Sequence, residues 1–285
     1  MTGLVILTPS PDEPRFAMIL DRWVGRLRPP LEAVGFVVEA RPWTDVGDLS
    51  GVGAITPLLA WSYHREPNAW AALLDRFDRQ GVRVANPTDV LRWNTRKTYL
   101  AELEAAGTPI IPTLFADRVT PQVLAEAHAR FGREIIVKPQ VSGGSHATVR
   151  HTDGAPLVDG PDGPAMLQPF LPAITGEGEI SLLYFGGVFS HAVAKIARAD
   201  DFRVQFQHGG RYQAITPPDE ALETGAVVLK AAGRSLAYAR IDLLRGEDGV
   251  LRLMELECIE PDLYLDLAPD GGAAFAAAMA GTLGI

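Results

Sequence analysis

Residues 135–146 read IIVKPQVSGGSH, and this stretch decides how the rest of the chain is interpreted. Residues 135–137 are a β-branched, apolar run typical of a buried strand, and Lys138 follows them directly. The Ser-Gly-Gly-Ser loop at 142–145 can turn its backbone N–H groups towards a phosphate. The pattern favours a strand that delivers a cation beside a phosphate-binding loop, and a solvated edge lysine before an ordinary turn is the alternative.

The composition is that of an acidic globular protein. With 285 residues, 47% of them hydrophobic, the chain can bury a sizeable core in two or three compact units. A formal net charge of −9 without a basic run argues against a nucleic-acid partner. The single cysteine, Cys258, fits a reducing compartment. Because no basic leader or long apolar run is visible, we expect a cytoplasmic protein without a membrane partner.

Strands alternate with helices over the first ninety residues. The apolar runs interpreted as strands are 4–7, 36–39, 53–59 and 82–85. Segments with apolar residues at three- and four-residue spacing separate these runs, and this alternation predicts a parallel sheet with crossover helices. Ligands usually bind where such strands end, so we expect residues 8–10, 61–64 and 86–87 on one rim.

The remaining two thirds of the chain combine helices with antiparallel strands. Residues 95–106 predict a helix with Lys97 in its first turn, either as a surface residue or as a ligand contact. Residues 201–213 are polar and predict a surface loop. The later predicted strands are 165–171, the hairpin 180–185 with 188–196, and the pair 239–244 with 250–259.

Three carboxylates fall on the last predicted strand pair. Asp242 lies on its first strand and Glu255 and Glu257 on its second, where residues two apart face the same side, together with Leu253. Unpaired buried carboxylates are costly, whereas Mg²⁺ binds carboxylate oxygens, phosphate and water. The pattern favours a magnesium site, and a solvated strand face beside Arg252 is the alternative.

The order and spacing of these parts resemble the ATP-grasp superfamily, in its glutathione synthetase and ribosomal-protein glutamate ligase branch. The resemblance covers essentially the whole chain and implies an α/β and α+β fold. It implies a parallel-sheet pre-ATP-grasp domain at 1–93, which lies on the substrate side. It also implies a central lobe with the glycine/serine lid at 94–170 and a C-terminal lobe with the magnesium-binding carboxylates at 171–285.

The resemblance also implies roles for matching residues. Lys97 and Lys138 match the two lysines that contact the ATP phosphates. In the stretch DFRVQFQHGG, Arg203 matches the catalytic arginine that faces the γ-phosphate and the acyl phosphate, with a surface arginine as the alternative. Glu179 matches the ribose-binding acid, and Glu177 is its rival. The other implied ATP contacts are Ser142, Gly143, Gly144 and Ser145 in the lid and Gln168, Phe170 and Leu171 in the adenine hinge.

Asp242, Glu255 and Glu257 match the magnesium ligands of the superfamily. Glu257 stands where many members carry asparagine, so the number and charge of the bound Mg²⁺ ions stay open. Cys258 is interpreted as a small core residue rather than a catalyst. The residues whose roles stay open are Lys195, Arg211, Tyr63 and His64.

The implied reaction is ATP-dependent ligation, with ATP and Mg²⁺ as cofactors. A carboxylate attacks the γ-phosphate of ATP, and an amine then captures the acyl phosphate, which releases ADP and phosphate. The stretches WSYH (61–64) and ECIEPDLYL (257–265) are also similar to the cyclo-ligases that form D-cycloserine, so ring closure within one substrate is an alternative. A non-catalytic ATP-binding sensor or scaffold is a second alternative. We expect a small, amino-acid-like substrate and a homodimer as the candidate assembly.

Overall fold

The computed structural model describes residues 2–198, 203–204 and 209–285. The strands are β1 (Thr2–Thr8), β2 (Phe36–Pro42), β3 (Ala54–Thr56), β4 (Leu114–Ala116), β5 (Glu134–Pro139), β6 (Val149–Thr152), β7 (Ala165–Pro169), β8 (Glu179–Phe185), β9 (Val188–Ile196), β10 (Arg211–Ile215), β11 (Tyr238–Arg245) and β12 (Leu251–Glu257). The α-helices are α1 (Pro14–Ala33), α2 (Pro67–Gln80), α3 (Thr88–Thr95), α4 (Tyr99–Ala105), α5 (Pro121–Phe131), α6 (Asp219–Ala232) and α7 (Ala273–Leu283). Within these described ranges, every helix is too short or too polar to cross a membrane.

The strands form three sheets. The first has the order β2-β1-β3 and is parallel, as the alternation of strands and helices predicts. The other two, β4-β7-β5-β6 and β10-β9-β8-β11-β12, are antiparallel throughout. The mixed α/β and α+β class predicted from the sequence is therefore confirmed.

Two predicted strands of the first sheet are shorter than expected. The predicted strand 53–59 is regular only over Ala54–Thr56, because Pro57 follows and its carbonyl accepts a turn hydrogen bond from the Ala60 N–H (2.8 Å). The predicted strand 82–85 contributes only a bridge between Val84 and Ile55.

The predicted helix 95–106 is wrong at its beginning. Helix α3 ends at Thr95 and α4 begins at Tyr99, so Lys97 lies in the break between them. The backbone N–H of Lys97 donates to the carbonyl of Gln140 (2.8 Å), at the start of the Gly/Ser loop. The helix is interrupted because the Lys97 N–H bonds to this loop and not to a carbonyl of the preceding helical turn.

The predicted loop 201–213 is also partly wrong. Residues 201–202 and 205–208 lie outside the described residues, but Arg211 and Gln213 belong to β10. They pair with β9 opposite Ile196 and Ala194. The polar composition of β10 suits an edge strand, which needs no continuous apolar run.

Buried polar side chains hold the end of β12 in place. The amide of Asn94 donates to the carbonyl of Leu256 (2.7 Å) and accepts from the N–H of Cys258 (2.8 Å). The Tyr99 hydroxyl donates to the same Leu256 carbonyl (2.9 Å) and accepts from its N–H (3.0 Å). Buried hydrogen bonds of this kind each cost about 1–3 kcal/mol to leave unsatisfied. They therefore fix the backbone on both sides of Glu257.

Candidate active site

A β-bulge directs two glutamates to one side of β12. The pairing with β11 skips Met254, which is an extra residue on β12. Leu253 is fully buried in the core, so the prediction that it shares a side with the glutamates is wrong. Carboxylate oxygens of Glu255, Glu257 and Asp242 lie within 4.8 Å of one another, as the magnesium interpretation requires.

Basic side chains accompany each of these carboxylates. The Lys97 Nζ lies 2.8 Å from a Glu255 oxygen. Arg240 Nη2 lies 2.9 Å from Asp242 and 2.5 Å from Glu257. Burial raises the pKa of Glu257 to about 7, although Arg240 opposes this rise. Burial alone would also raise the pKa of Asp242, but the attraction of Arg240 and other nearby cations holds it well below its usual range.

Arg240 is a site residue that the sequence interpretation missed. Its guanidinium Nε lies 3.0 and 3.1 Å from the two Asp242 carboxylate oxygens, and Arg240 is buried. The signal was present, because residues two apart on one strand face the same side and Asp242 was already singled out.

Lys195 lies between two buried acids, although the sequence left its role open. Its ammonium is ion-paired with Glu179 and lies 3.1 Å from Asp242. Burial raises the pKa of Glu179 to about 7, and Lys195 opposes this rise. The rival Glu177 is exposed instead and pairs with Arg245 (2.8 Å). The ribose-binding role of Glu179 stays a prediction.

Lys138 is a buried cation on β5. Over residues 2–198, 203–204 and 209–285, its ammonium forms no hydrogen bond or ion pair. Burial lowers its pKa to about 8, and the attraction of Glu255 only partly offsets this shift. Burying an ammonium that has no acid at ion-pair distance is costly, and an anionic ligand beside it would offset that cost. Lys138 is therefore positioned for such a ligand.

The Gly/Ser loop lies directly beside these charges. The Lys97 ammonium donates to the Ser142 carbonyl (3.0 Å) while pairing with Glu255, so it joins the loop to the carboxylate cluster. Gly144 and Ser145 adopt left-handed conformations, with φ of 59° and 61°. This geometry turns the loop back between β5 and β6.

The predicted adenine hinge begins within β7 and continues beyond its end. Gln168 pairs with Ile136 in the sheet, and its side-chain amide donates to the Thr113 hydroxyl (2.9 Å). The Phe170 N–H donates to the carbonyl of Glu134 (3.0 Å) and is therefore engaged. Leu171 follows, and its carbonyl accepts from the Ile174 N–H (3.2 Å). The adenine-binding role of these three residues stays a prediction.

His64 and Glu260 both lie beside the Gly/Ser loop, where each would be 3.1 Å from a Cβ atom on Gly143. Burial lowers the pKa of His64 to about 4, with nearby cationic groups adding to the shift. Burial and the neighbouring Glu257 raise the pKa of Glu260 to about 8. Tyr63 is buried and packs against Trp70, with ring centroids 5.0 Å apart.

Three further residues were considered from the sequence, namely Arg203, Arg211 and Cys258. Arg203 belongs to the described residues, but its neighbours 201–202 and 205–208 do not, and its role stays a prediction. Arg211 is exposed on β10. Cys258 is fully buried in the core, where burial raises the pKa of its thiol, as expected for a core residue.

The donor chemistry of the site fits ATP and Mg²⁺. Three carboxylates provide the hard oxygen ligands that Mg²⁺ prefers. Lys97 and Lys138 are cations of the kind that bind phosphate oxygens, and Lys97 lies 2.8 Å from Glu255 of the carboxylate cluster. Their contacts with ATP stay predictions.

Comparisons with known proteins identify the family. A family model described as the N-terminal domain of D-cycloserine synthetase DcsG matches residues 5–86. The chain is 30% identical over 280 residues to the cycloserine biosynthesis protein DcsG of Streptomyces lavendulae, covering 88% of this chain and 92% of that protein. The chain belongs to the D-cycloserine synthetase family. The crystal structure of D-cycloserine synthetase DcsG has a TM-score of 0.86 at 26% identity, covering 99% of both chains.

Proteins outside the D-cycloserine synthetase family share this fold. The ATP-grasp ligase PsnB, complexed with a phosphomimetic variant of its minimal precursor, Mg and ADP, has a TM-score of 0.65 at 20% identity, covering 98% of each chain. The predicted ATP-grasp superfamily and the class of ATP-dependent ligase are confirmed. The predicted cofactors agree with the Mg and ADP that PsnB holds. The roles of individual residues, and the domain boundaries, remain predictions.

Proposed function

We propose that this ligase closes a ring within one amino-acid-like substrate. It activates the substrate carboxylate as an acyl phosphate, and an amine of the same molecule captures it. The convergence of Lys138, Lys97 and three carboxylates at one site, in a member of the D-cycloserine synthetase family, supports this proposal. Opening the ring amide of cycloserine gives an amino acid with an aminooxy side chain, so a β-aminooxy amino acid is the proposed substrate class.

The proposed mechanism depends on stabilising the negative charge of the phosphoryl oxygens. A carboxylate oxygen bonds to the γ-phosphorus, and the bond from that phosphorus to the ADP oxygen breaks. Lys138, Lys97 and Arg240 bind and orient the anionic groups and offset the charge that spreads over the phosphoryl oxygens. The amine nitrogen then bonds to the acyl carbon, phosphate leaves, and the amine loses a proton.

Asp242, Glu255 and Glu257 would hold the magnesium. Bound Mg²⁺ supplies further positive charge to the phosphate oxygens. Because each carboxylate already has a basic partner, the same side chains keep the cluster together before ligands bind.

ADP release from a single substrate tests this function. The purified protein is mixed with ATP, Mg²⁺ and one β-aminooxy amino acid from a panel of D and L forms, each with its aminooxy nitrogen free or acylated. We expect at least one member to give ADP, phosphate and a cyclic product with no added amine. ADP formation only after an amine is added would favour ligation between two molecules. Tight ATP binding with no ADP from any acid and amine would favour a sensor or scaffold.

We further propose a cytoplasmic location and a homodimeric assembly. A single buried cysteine suits a reducing compartment, and the reaction consumes ATP. Sedimentation velocity measures the assembly state directly, and a monomer at all concentrations would contradict the dimer.

A further inference from the structure

His128 and His151 form a buried pair that the proposed mechanism does not use. His128 lies in the last turn of α5, and His151 lies on β6, the edge strand of the sheet β4-β7-β5-β6. Both side chains are buried, and the His128 Nε2 lies 2.9 Å from the His151 Nδ1. The two imidazoles therefore join the end of a helix to the edge of the sheet.

Each outer ring nitrogen of the pair faces a backbone carbonyl. The His128 Nδ1 lies 2.9 Å from the carbonyl oxygen of Gly132, and the His151 Nε2 lies 2.9 Å from that of Ala155. A carbonyl oxygen only accepts, so both outer nitrogens must carry a proton to make these bonds. The contact between the rings needs one more proton, because two ring nitrogens that carry only lone pairs would repel each other at 2.9 Å. The three contacts thus need three protons, whereas two neutral imidazoles carry two.

The sheet presents an apolar face to this pair. Ile135 lies opposite His151 on β5 and is fully buried in an apolar cluster. The titratable residues of β5 and β6, namely Glu134, Lys138 and Arg150, alternate to the other face of the sheet. Strands β4 (LFA) and β7 (AMLQP) consist of uncharged residues. The charged residues of α5 and of the adjoining segments are exposed: Asp117, Arg118, Glu126, Arg130, Arg133, Asp153, Asp159 and Asp162.

The end of α5 stabilises a positive charge on the pair. The carbonyl groups in the last turn of a helix favour a nearby cation, and His128 lies in that turn. A hydrogen bond from a charged donor is also about twice as strong as one between neutral groups, which favours a proton shared between the two rings. Without the third proton, one of the three contacts must open, because a pair of lone pairs is left facing each other or a carbonyl oxygen.

We infer that His128 and His151 share a third proton and form a pH-sensitive clamp on β6. With the proton bound, all three contacts close and hold β6, and the chain as far as Ala155, against α5. When the proton leaves to solvent as the pH rises, one contact opens. Strand β6 directly follows the Gly/Ser loop, and the Arg150 guanidinium lies 3.7 Å from the ring centroid of Phe170 in the predicted hinge. The clamp thereby secures the outgoing end of the loop and a contact of the hinge.

Nitrogen-15 NMR of the histidine rings counts these protons directly. The wild-type protein, labelled with ¹⁵N in its histidines and free of ligands, is titrated from mildly acidic to alkaline pH. We expect the rings of His128 and His151 to carry three nitrogen-bound protons near neutral pH and to lose one of them in a single step that both rings report. Two protons on the pair at every pH, or separate titration of the two rings, would overturn the inference.

His128→Gln tests whether the shared proton acts as a clamp. The glutamine amide can donate to the His151 Nδ1 while that ring keeps its proton on the Ala155 carbonyl, so these bonds need no third proton. In the wild type, the hydrogen-exchange protection of residues 149–155 should fall by about fivefold or more at alkaline pH, and in His128→Gln it should stay unchanged. Glu126→Gln, at an exposed position of α5, is the control and should behave as the wild type does. An equal loss of protection in His128→Gln and the wild type would overturn the clamp, and if His128→Gln does not fold, the proton count of the wild type decides.

Discussion

Replacing Lys138 by alanine is expected to lower kcat/KM for ADP release by about 10²–10³-fold, the usual effect of losing a preorganised charge. Lys138 is buried and forms no ion pair with any residue that the structure describes, so its ammonium is available to the phosphate groups. The measurement is the initial rate of ADP release in a coupled assay over a range of ATP concentrations. Lys230→Ala, which removes an exposed lysine from α6, is the matched control and should retain the wild-type rate.

Lys138 is also expected to make the reaction slower at alkaline pH. Because burial lowers the pKa of Lys138 to about 8, the free enzyme loses this positive charge as the pH rises through that value. We expect kcat/KM for ATP to fall above this pH in the wild type. Lys138→Arg should remove the fall, because a guanidinium stays charged throughout the range. Full activity in Lys138→Ala would contradict the assignment of Lys138 to the phosphate site.

Replacing Glu255 by alanine is the second change with a large expected effect. It removes a magnesium ligand and the ion-pair partner of Lys97, which lies 2.8 Å away. Breaking a buried pair leaves one uncompensated charge, so we expect the free energy of unfolding to fall by about 3 kcal/mol. ADP release should fall by about 10²-fold or more and should require more Mg²⁺ to saturate. Urea unfolding and magnesium titration of the rate measure the two effects.

Glu257→Asn is the informative comparison at the same cluster. Asparagine occupies this position in many ATP-grasp proteins and keeps one oxygen ligand, so we expect activity within about tenfold of the wild type. Glu247→Gln, at an exposed site in the turn after β11, is the neutral control. Unchanged magnesium dependence in Glu255→Ala would show that the three carboxylates do not hold the metal.

The parts of the site that the sequence predicts correctly are those that depend on local patterns. The β-branched run before Lys138 predicts β5, and the alternation of apolar runs with helices predicts the parallel first sheet. The order of these parts along the chain predicts the superfamily, because the pattern as a whole is far more specific than any one motif.

Other features of the site depend on tertiary contacts that a linear pattern does not contain. The break before α4 arises because the Lys97 backbone bonds to Gln140, far along the chain. The bulge at Met254 interrupts the alternation of β12, so the side on which Glu255 lies could not be deduced by counting from Leu253. The burial that raises the pKa of Glu260 is also a property of three-dimensional neighbours, and the sequence shows only an acid in a loop.

Oxygen transfer from the substrate carboxylate tests the acyl phosphate most directly. A β-aminooxy amino acid with ¹⁸O in its carboxylate is incubated with the protein, ATP and Mg²⁺, and the released phosphate is analysed by mass spectrometry. Attack of the carboxylate on the γ-phosphorus, followed by displacement of phosphate, predicts one ¹⁸O atom in each phosphate formed with ADP. Phosphate without ¹⁸O, released at the same rate as the ADP, would contradict activation of the carboxylate by phosphoryl transfer.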